Sequence, residues 1–177
     1  MLPISALALL LALAAPRADD PPSARGVAQT DTAIARIRGE YARVNAMLAR
    51  CENRTLDVNG MSTEGGTMKI YRCGGAIRKL AVTYYGEMGR ASEEWVLSGD
   101  RPIFLYRLDS DYDQTFGRVV RRTEERVYWR GEQMLRWIRG GRTRVTVSAE
   151  ARGRMGEMEE EFADLLDRAR TGRTDAK

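Results

Sequence analysis

Histidine is absent from this 177-residue chain. That removes the commonest general base, the commonest transition-metal ligand and every histidine-dependent triad. Cysteine is nearly absent, with Cys51 and Cys73 the whole thiol inventory. Two thiols without an imidazole make a poor zinc site, so no metal, no cofactor and no catalytic residue is assigned. Lysine is scarce as well: Lys69, Lys79 and Lys177 stand among 29 basic residues, the rest being arginine. No G-x-S-x-G occurs, and Ser62, Ser92, Ser98 and Ser110 lie among turn formers, where serine is favoured for local hydrogen bonding. No hydrophobic run reaches the roughly 20 residues of a membrane span, so a transmembrane segment is not expected in the mature protein.

What is present begins at the N-terminus. Residues 4–15, ISALALLLALAA, form an uncharged apolar run of signal-peptide length, and Ala12-Leu13-Ala14 supplies an A-x-A cleavage pattern. The reading is a signal peptide over 1–14, a disordered linker over 15–29 (with ADDPPSARG and its two prolines), a single α+β domain over 30–170 and a frayed tail over 171–177. The address this implies is periplasmic or secreted. In such a compartment an even pair of cysteines reads as one disulfide, Cys51 to Cys73.

Period changes divide the domain. Ile34, Ile37, Tyr41, Val44, Leu48 and Cys51 recur at spacings of three and four, which predicts a helix over 31–51 capped by Asp31. Residues 52–66 read as a polar loop. Alternation then predicts strands over 67–73, 77–85, 93–97, 102–108, 118–129 and 134–139, the last with room to extend to Val147. The glycine-rich turns between them are short, so neighbouring strands must be antiparallel and the sheet a meander. Ala151, Met155, Met158, Phe162, Leu165 and Ala169 predict a closing helix over 149–169 with Ser148 as its cap. The expected architecture is α+β: an N-terminal helix, an antiparallel meander of five or six strands and a C-terminal helix, both helices on one face of the sheet.

Candidate sites follow from the faces. In doublets such as Tyr84-Tyr85 and Tyr128-Trp129, alternation turns one member away from the core. Outward aromatics interleaved with arginine make a surface of the kind common at interfaces, and Tyr106, Arg126 and Tyr128 are the binding candidates. Nine arginines between Arg118 and Arg144 are opposed in that span by Glu124, Glu125 and Glu132. Either they form a cationic face for an anionic ligand, or the acidic closing helix neutralises them. The doublets Glu93-Glu94 and Glu124-Glu125 are read as surface carboxylates, since adjacent strand residues point to opposite faces and neither doublet acts as a catalytic pair.

At YYGEMGRASEEW and FLYRLDSDYDQTFGRVVRRTEERVYWRGEQMLRW, with Tyr112-Asp113, Phe116-Gly117 and Arg136-Trp137, the chain resembles a diffuse group of small exported bacterial proteins of unknown function. Residues 68–85, MKIYRCGGAIRKLAVTYY, are similar to the opening hairpin of periplasmic inhibitors of C-type lysozyme. Those inhibitors act through a Ser-Gly loop, of which only Ser98-Gly99-Asp100 is found here, and no residue role is carried over. The expected function is an exported, non-catalytic binding or interaction module, with an unknown envelope protein or an anionic ligand as partner and no nucleic acid. An envelope hydrolase or hydrolase inhibitor is the alternative.

Overall fold

The apolar stripe Ile34, Ile37, Val44 demands a hydrophobic partner surface, and the helix that carries it, α1 (Ala24–Met47), lies against one face of the sheet. The computed structural model describes residues 24–113 and 117–175; the signal-peptide reading and most of the linker lie outside them. α1 starts earlier than Asp31, so residues 24–29 belong to the helix and not to a linker. Asp31 is no cap; its carboxylate accepts from Arg136 at 2.7 Å. A 3-10 turn over Leu48–Arg50 closes the helix. Cys51 follows it and is bridged to Cys73, with the two Cα atoms 4.7 Å apart.

Eight strands follow in chain order: β1 (Glu52–Asp57), β2 (Gly66–Cys73), β3 (Ala76–Gly86), β4 (Gly89–Ser98), β5 (Arg101–Tyr112), β6 (Val119–Arg130), β7 (Gln133–Arg139) and β8 (Arg142–Arg144). Each pairs antiparallel with its neighbour, so the meander is complete from β1 to β8. It has eight strands rather than five or six. The two additions are the edges. β1, ENRTLD, is exposed along nearly its whole length and carries no apolar alternation, while β8 has only three residues. Gly66 and Gly89 permit the tight packing of neighbouring strands, since a Cβ there would collide with the carbonyl oxygens of Thr83 and Ser110.

The closing helix α2 (Ala149–Thr171) is capped by Ser148, whose Oγ accepts from the Ala151 N–H at 3.1 Å. Its Met158, Phe162, Leu165 and Ala169 pack on Leu80, Trp95, Leu105 and Trp137. The α1 stripe instead packs on Val96, Phe104 and Tyr128. Trp95 and Val96, or Phe104 and Leu105, are consecutive strand residues and so face opposite ways. The helices therefore cover opposite faces of the sheet, which corrects the expectation of one shared face. Tyr128 and Trp129 are consequently both buried, at 3% and 5% exposure, each under its own layer. A bulge at Tyr128/Trp129 also leaves Leu135 on the α1 side, while Trp137 stays on the α2 side.

The segment after α2 is hydrogen-bonded back to the domain at Thr174. The Asn59 N–H donates to the Thr174 carbonyl at 2.9 Å. Buried Arg168 donates to Asp164, to that same carbonyl and to the Asn59 carbonyl. Among the described residues no helix is long and apolar enough to cross a membrane.

Candidate functional site

One register row crosses the middle of the sheet on the α1 side: Ala81, Glu94, Tyr106 and Arg126 are direct neighbours on β3, β4, β5 and β6. The row beside it, Val96, Phe104 and Tyr128, supports α1. α1 adds Arg38 and Tyr41 at its flank. These side chains enclose a cavity of about 410 Å³ lined by Arg38, Tyr41, Glu94, Phe104, Tyr106, Arg126 and Tyr128. The three binding candidates, Tyr106, Arg126 and Tyr128, thus meet in one place. Their environments differ: Arg126 is exposed, Tyr106 half-buried and Tyr128 a core residue beneath the helix.

Aromatic faces build the floor. The Tyr41 ring meets Phe104 edge-on at 5.1 Å, and Phe104 tilts against Tyr128 at 5.0 Å. Guanidinium groups lie over two rings, Arg126 over Tyr106 at 5.8 Å and Arg38 over Tyr128 at 5.7 Å. Glu94 is the single carboxylate of the lining. Its Oε2 accepts from the Tyr41 hydroxyl at 2.8 Å and lies 2.9 Å from the Lys79 ammonium. Lys79 is buried and also donates to Asn45 Oδ1 at 2.8 Å, so α1 is tied to β3 and β4 beneath the cavity.

Burial, followed by the charge of a nearby carboxylate (Glu94 for Tyr41, Glu124 for Tyr106), pushes both phenols above their ordinary acidity range. They remain protonated donors. The site thus offers fixed donors, one engaged acceptor and exposed ring edges. A second cavity of about 400 Å³ shares Glu94 and Tyr106 with it and continues across the uncovered sheet over Thr55, Thr67, Lys69, Thr83 and Ser92. Among the described residues no group of three or more His, Cys, Asp or Glu is placed to hold a metal ion.

The glutamate doublets are not surface features throughout. Glu94 and Glu124 stay on the α1 side, but Glu93 and Glu125 turn inward toward α2 and are 1% and 2% exposed. Glu93 accepts from the Trp95 indole at 2.8 Å and from Arg107 at 2.6 Å. Glu125 accepts from the Trp137 indole at 2.7 Å and from Arg154 of α2 at 3.1 and 2.8 Å. Sequence reasoning missed both, because it placed the glutamate doublets in water by residue type, although Glu93 alternates with Trp95 and Glu125 with Val127 onto the apolar face.

Nor does α2 neutralise the arginine belt. Its Glu157, Asp164 and Asp167 pair with Arg154, Arg168 and Arg173, and its ion pair with β6 runs the other way, from Arg154 to Glu125. Belt residues Arg121, Arg126 and Arg136 find Asp111, Glu124 and Asp31 instead. Arg38, Tyr41 and Glu94 were not foreseen as site residues, since only the docking of α1 brings them to Tyr106. No protein-family model, curated protein or solved structure matches this chain, and its site is read from its own geometry.

Proposed function

We propose that this chain is an exported, non-catalytic binding module whose ligand rests against the α1 flank over Glu94, Tyr106 and Arg126. The observation that carries the reading is the convergence of Tyr106 from β5 and Arg126 and Tyr128 from β6 with Arg38 and Tyr41 of α1 around one 410 Å³ cavity, a size suited to a small ligand or a partner's projecting side chain. The chemistry supports binding over turnover. The phenols are held protonated, and Glu94 is already engaged by a hydroxyl and an ammonium. The Cys51–Cys73 bridge supports an oxidising compartment, in keeping with the apolar run at residues 4–15.

The test is retention of envelope components on immobilised protein, comparing the wild type with a Tyr106→Ala/Arg126→Ala variant. Tyr128 is left intact because it is core. A component held by the wild type and lost by the variant, at unchanged circular dichroism, is the expected result. Equal retention by both overturns the assignment of this face.

A further inference from the structure

A larger cavity lies elsewhere, between the N-terminal half of α1 and the β4–β5 and β6–β7 turns, with a volume of about 860 Å³. Four guanidinium groups rim it: Arg25 and Arg36 from α1, Arg101 at the start of β5 and Arg130 at the end of β6. No carboxylate is among its lining residues. Arg130 donates to the neutral amide of Gln133 at 3.2 Å. Arg101 reaches Glu132 at 3.2 Å, with both side chains mostly in water, where such a pair contributes little. Arg25 and Arg36 make no ion pair with any described residue. Elsewhere this protein spends its arginines on carboxylates, as at Arg107, Arg154, Arg168 and Arg173. The groove therefore concentrates uncompensated positive charge.

Its floor has the opposite character. Ile37, Pro102, Ile103 and Trp129 line it, and Ile37 and Trp129 belong to the buried core. The apolar surface continues around the sheet end. Arg101, Pro102, Trp129 and Gly131 also line a second cavity, of about 520 Å³, on the α2 side, where Trp95, Met155, Met158 and Phe162 add apolar wall and the exposed carboxylates Asp100, Glu132 and Glu159 complete the lining. A guanidinium rim beside an apolar floor that continues toward the Met155, Met158 and Phe162 side chains of the recess matches one chemical class.

We propose that this groove binds an anionic amphiphile: a carboxylate or phosphate head in the Arg25, Arg36, Arg101 and Arg130 rim, and an alkyl tail on Ile103 and Trp129 running toward the recess. Guanidinium forks engage either head bidentately, and the tail removes the half-buried Ile103 side chain from water. The site shares no lining residue with the cavity around Tyr106, so it stands or falls independently of the function proposed above.

Trp129 gives the readout. Tryptophan fluorescence of the purified chain is followed while octyl phosphate, octanoate, octanol and inorganic phosphate are added below micelle-forming concentrations. The two octyl anions separate a phosphate-headed source from a free carboxylate. A saturable change is expected with at least one of them, with octanol and inorganic phosphate at least about tenfold weaker. An Arg36→Gln/Arg130→Gln variant, altered at two exposed positions, loses about tenfold or more in affinity, the usual scale for lost charged hydrogen bonds. The Tyr106→Ala/Arg126→Ala variant binds like the wild type. Octanol binding as tightly as the anions would reduce the groove to an apolar pocket, and inorganic phosphate doing so would reduce it to a bare anion site. Either result overturns the proposal, as does an unaffected arginine variant. So does the lack of any saturable change, including a case where the chain sediments only with anionic phospholipid vesicles.

Discussion

Glu93 and Glu125 lie on the α2 side of one sheet, each buried, each accepting an indole N–H and a guanidinium, yet their acidities move in opposite directions. Burial pushes the Glu93 carboxyl up, the neighbouring Glu161 carboxylate pushes it further, and Arg107 only partly pulls it back, leaving it at about 7. Burial acts upward on Glu125 too, but the hydrogen bonds and charge of Arg154, helped by Trp137 and Arg139, overcome it and hold the group below the ordinary carboxylate range. The difference lies in how each cation is shared. Arg107 serves Glu93 at 2.6 Å, Asp109 at 2.9 Å and, at 4.0 Å, Glu161, which is itself held by the Tyr84 hydroxyl. Arg154 gives two hydrogen bonds to Glu125 and otherwise meets only exposed Glu157. Equal partner counts thus conceal unequal charge balance, and the balance inside the dry layer decides the protonation state.

Removing the cations breaks the comparison most forcefully. Arg154→Met strands an ionised Glu125 in the interior and should cost on the order of 3–5 kcal/mol in urea unfolding, as expected for a buried pair broken from one side. Burial, no longer opposed by Arg154, raises Glu125 in the variant, so the loss should be smallest in acid, where the carboxyl can protonate, and reach its full size in alkaline solution. Arg107→Met should be milder at the acid end, where Glu93 is neutral, and grow as the pH rises. Two variants that lose equal stability at both ends would show that the carboxylates are not differently charged.

The wild-type pH profile is the next largest effect. Glu93 binds its proton more tightly in the folded chain than in the unfolded one. Its contribution is therefore fully present below the ordinary value of 4.5 and is lost as pH rises through about 7. A shift of that size corresponds to a loss on the order of 3 kcal/mol. Glu125 has the opposite sign: its contribution is present above 4.5 and lost as pH falls through its lowered pKa. Urea unfolding across the range should place maximum stability in mildly acidic solution. Glu93→Gln should flatten the alkaline limb alone. A smaller effect of the same kind follows from Glu161→Gln, which removes the like charge: a carbon-13 carboxyl titration should show Glu93 moving toward its ordinary value, and an unmoved Glu93 would leave burial as the whole cause.

Much of the scaffold behind this contrast is legible in the sequence. Glycine turns between alternating segments announce β2 to β7 as an antiparallel meander, helical spacing announces both helices, and two thiols announce the bridge. The edges are harder to read. ENRTLD is mostly exposed, with only Leu56 reaching the core, so its side chains show no alternation. The two-layered cover also leaves a trace, in the uninterrupted apolar runs Trp95-Val96-Leu97 and Ile103-Phe104-Leu105, which suit strands buried on both faces. Read as one-sided strands, they put Tyr128 outside; Glu93, which shares the Trp95 face, is hidden instead by the expectation that a strand carboxylate lies in water. Tyr106 and Arg126 follow from alternation and register, both local properties. Arg38, Tyr41 and Glu94 join them only through the docking of α1, which is a tertiary fact.

The smallest effect isolates a single hydrogen bond. Trp95→Phe and Trp137→Phe each remove an indole N–H from a buried carboxyl while keeping most of the ring's apolar surface, at positions 0% and 1% exposed. Their packing losses should nearly cancel in the comparison. What remains is the acceptor's charge: a hydrogen bond to an ionised group contributes roughly 1 kcal/mol more than one to a neutral group. Near pH 6 Glu125 is ionised and Glu93 largely protonated, so Trp137→Phe should cost about 1 kcal/mol more than Trp95→Phe. As Glu93 loses its proton above its value of about 7, the cost of Trp95→Phe should rise and the gap close. A gap that persists unchanged into alkaline solution would assign it to packing around the two rings, and the contrast between the two carboxylates would then rest on their titration alone.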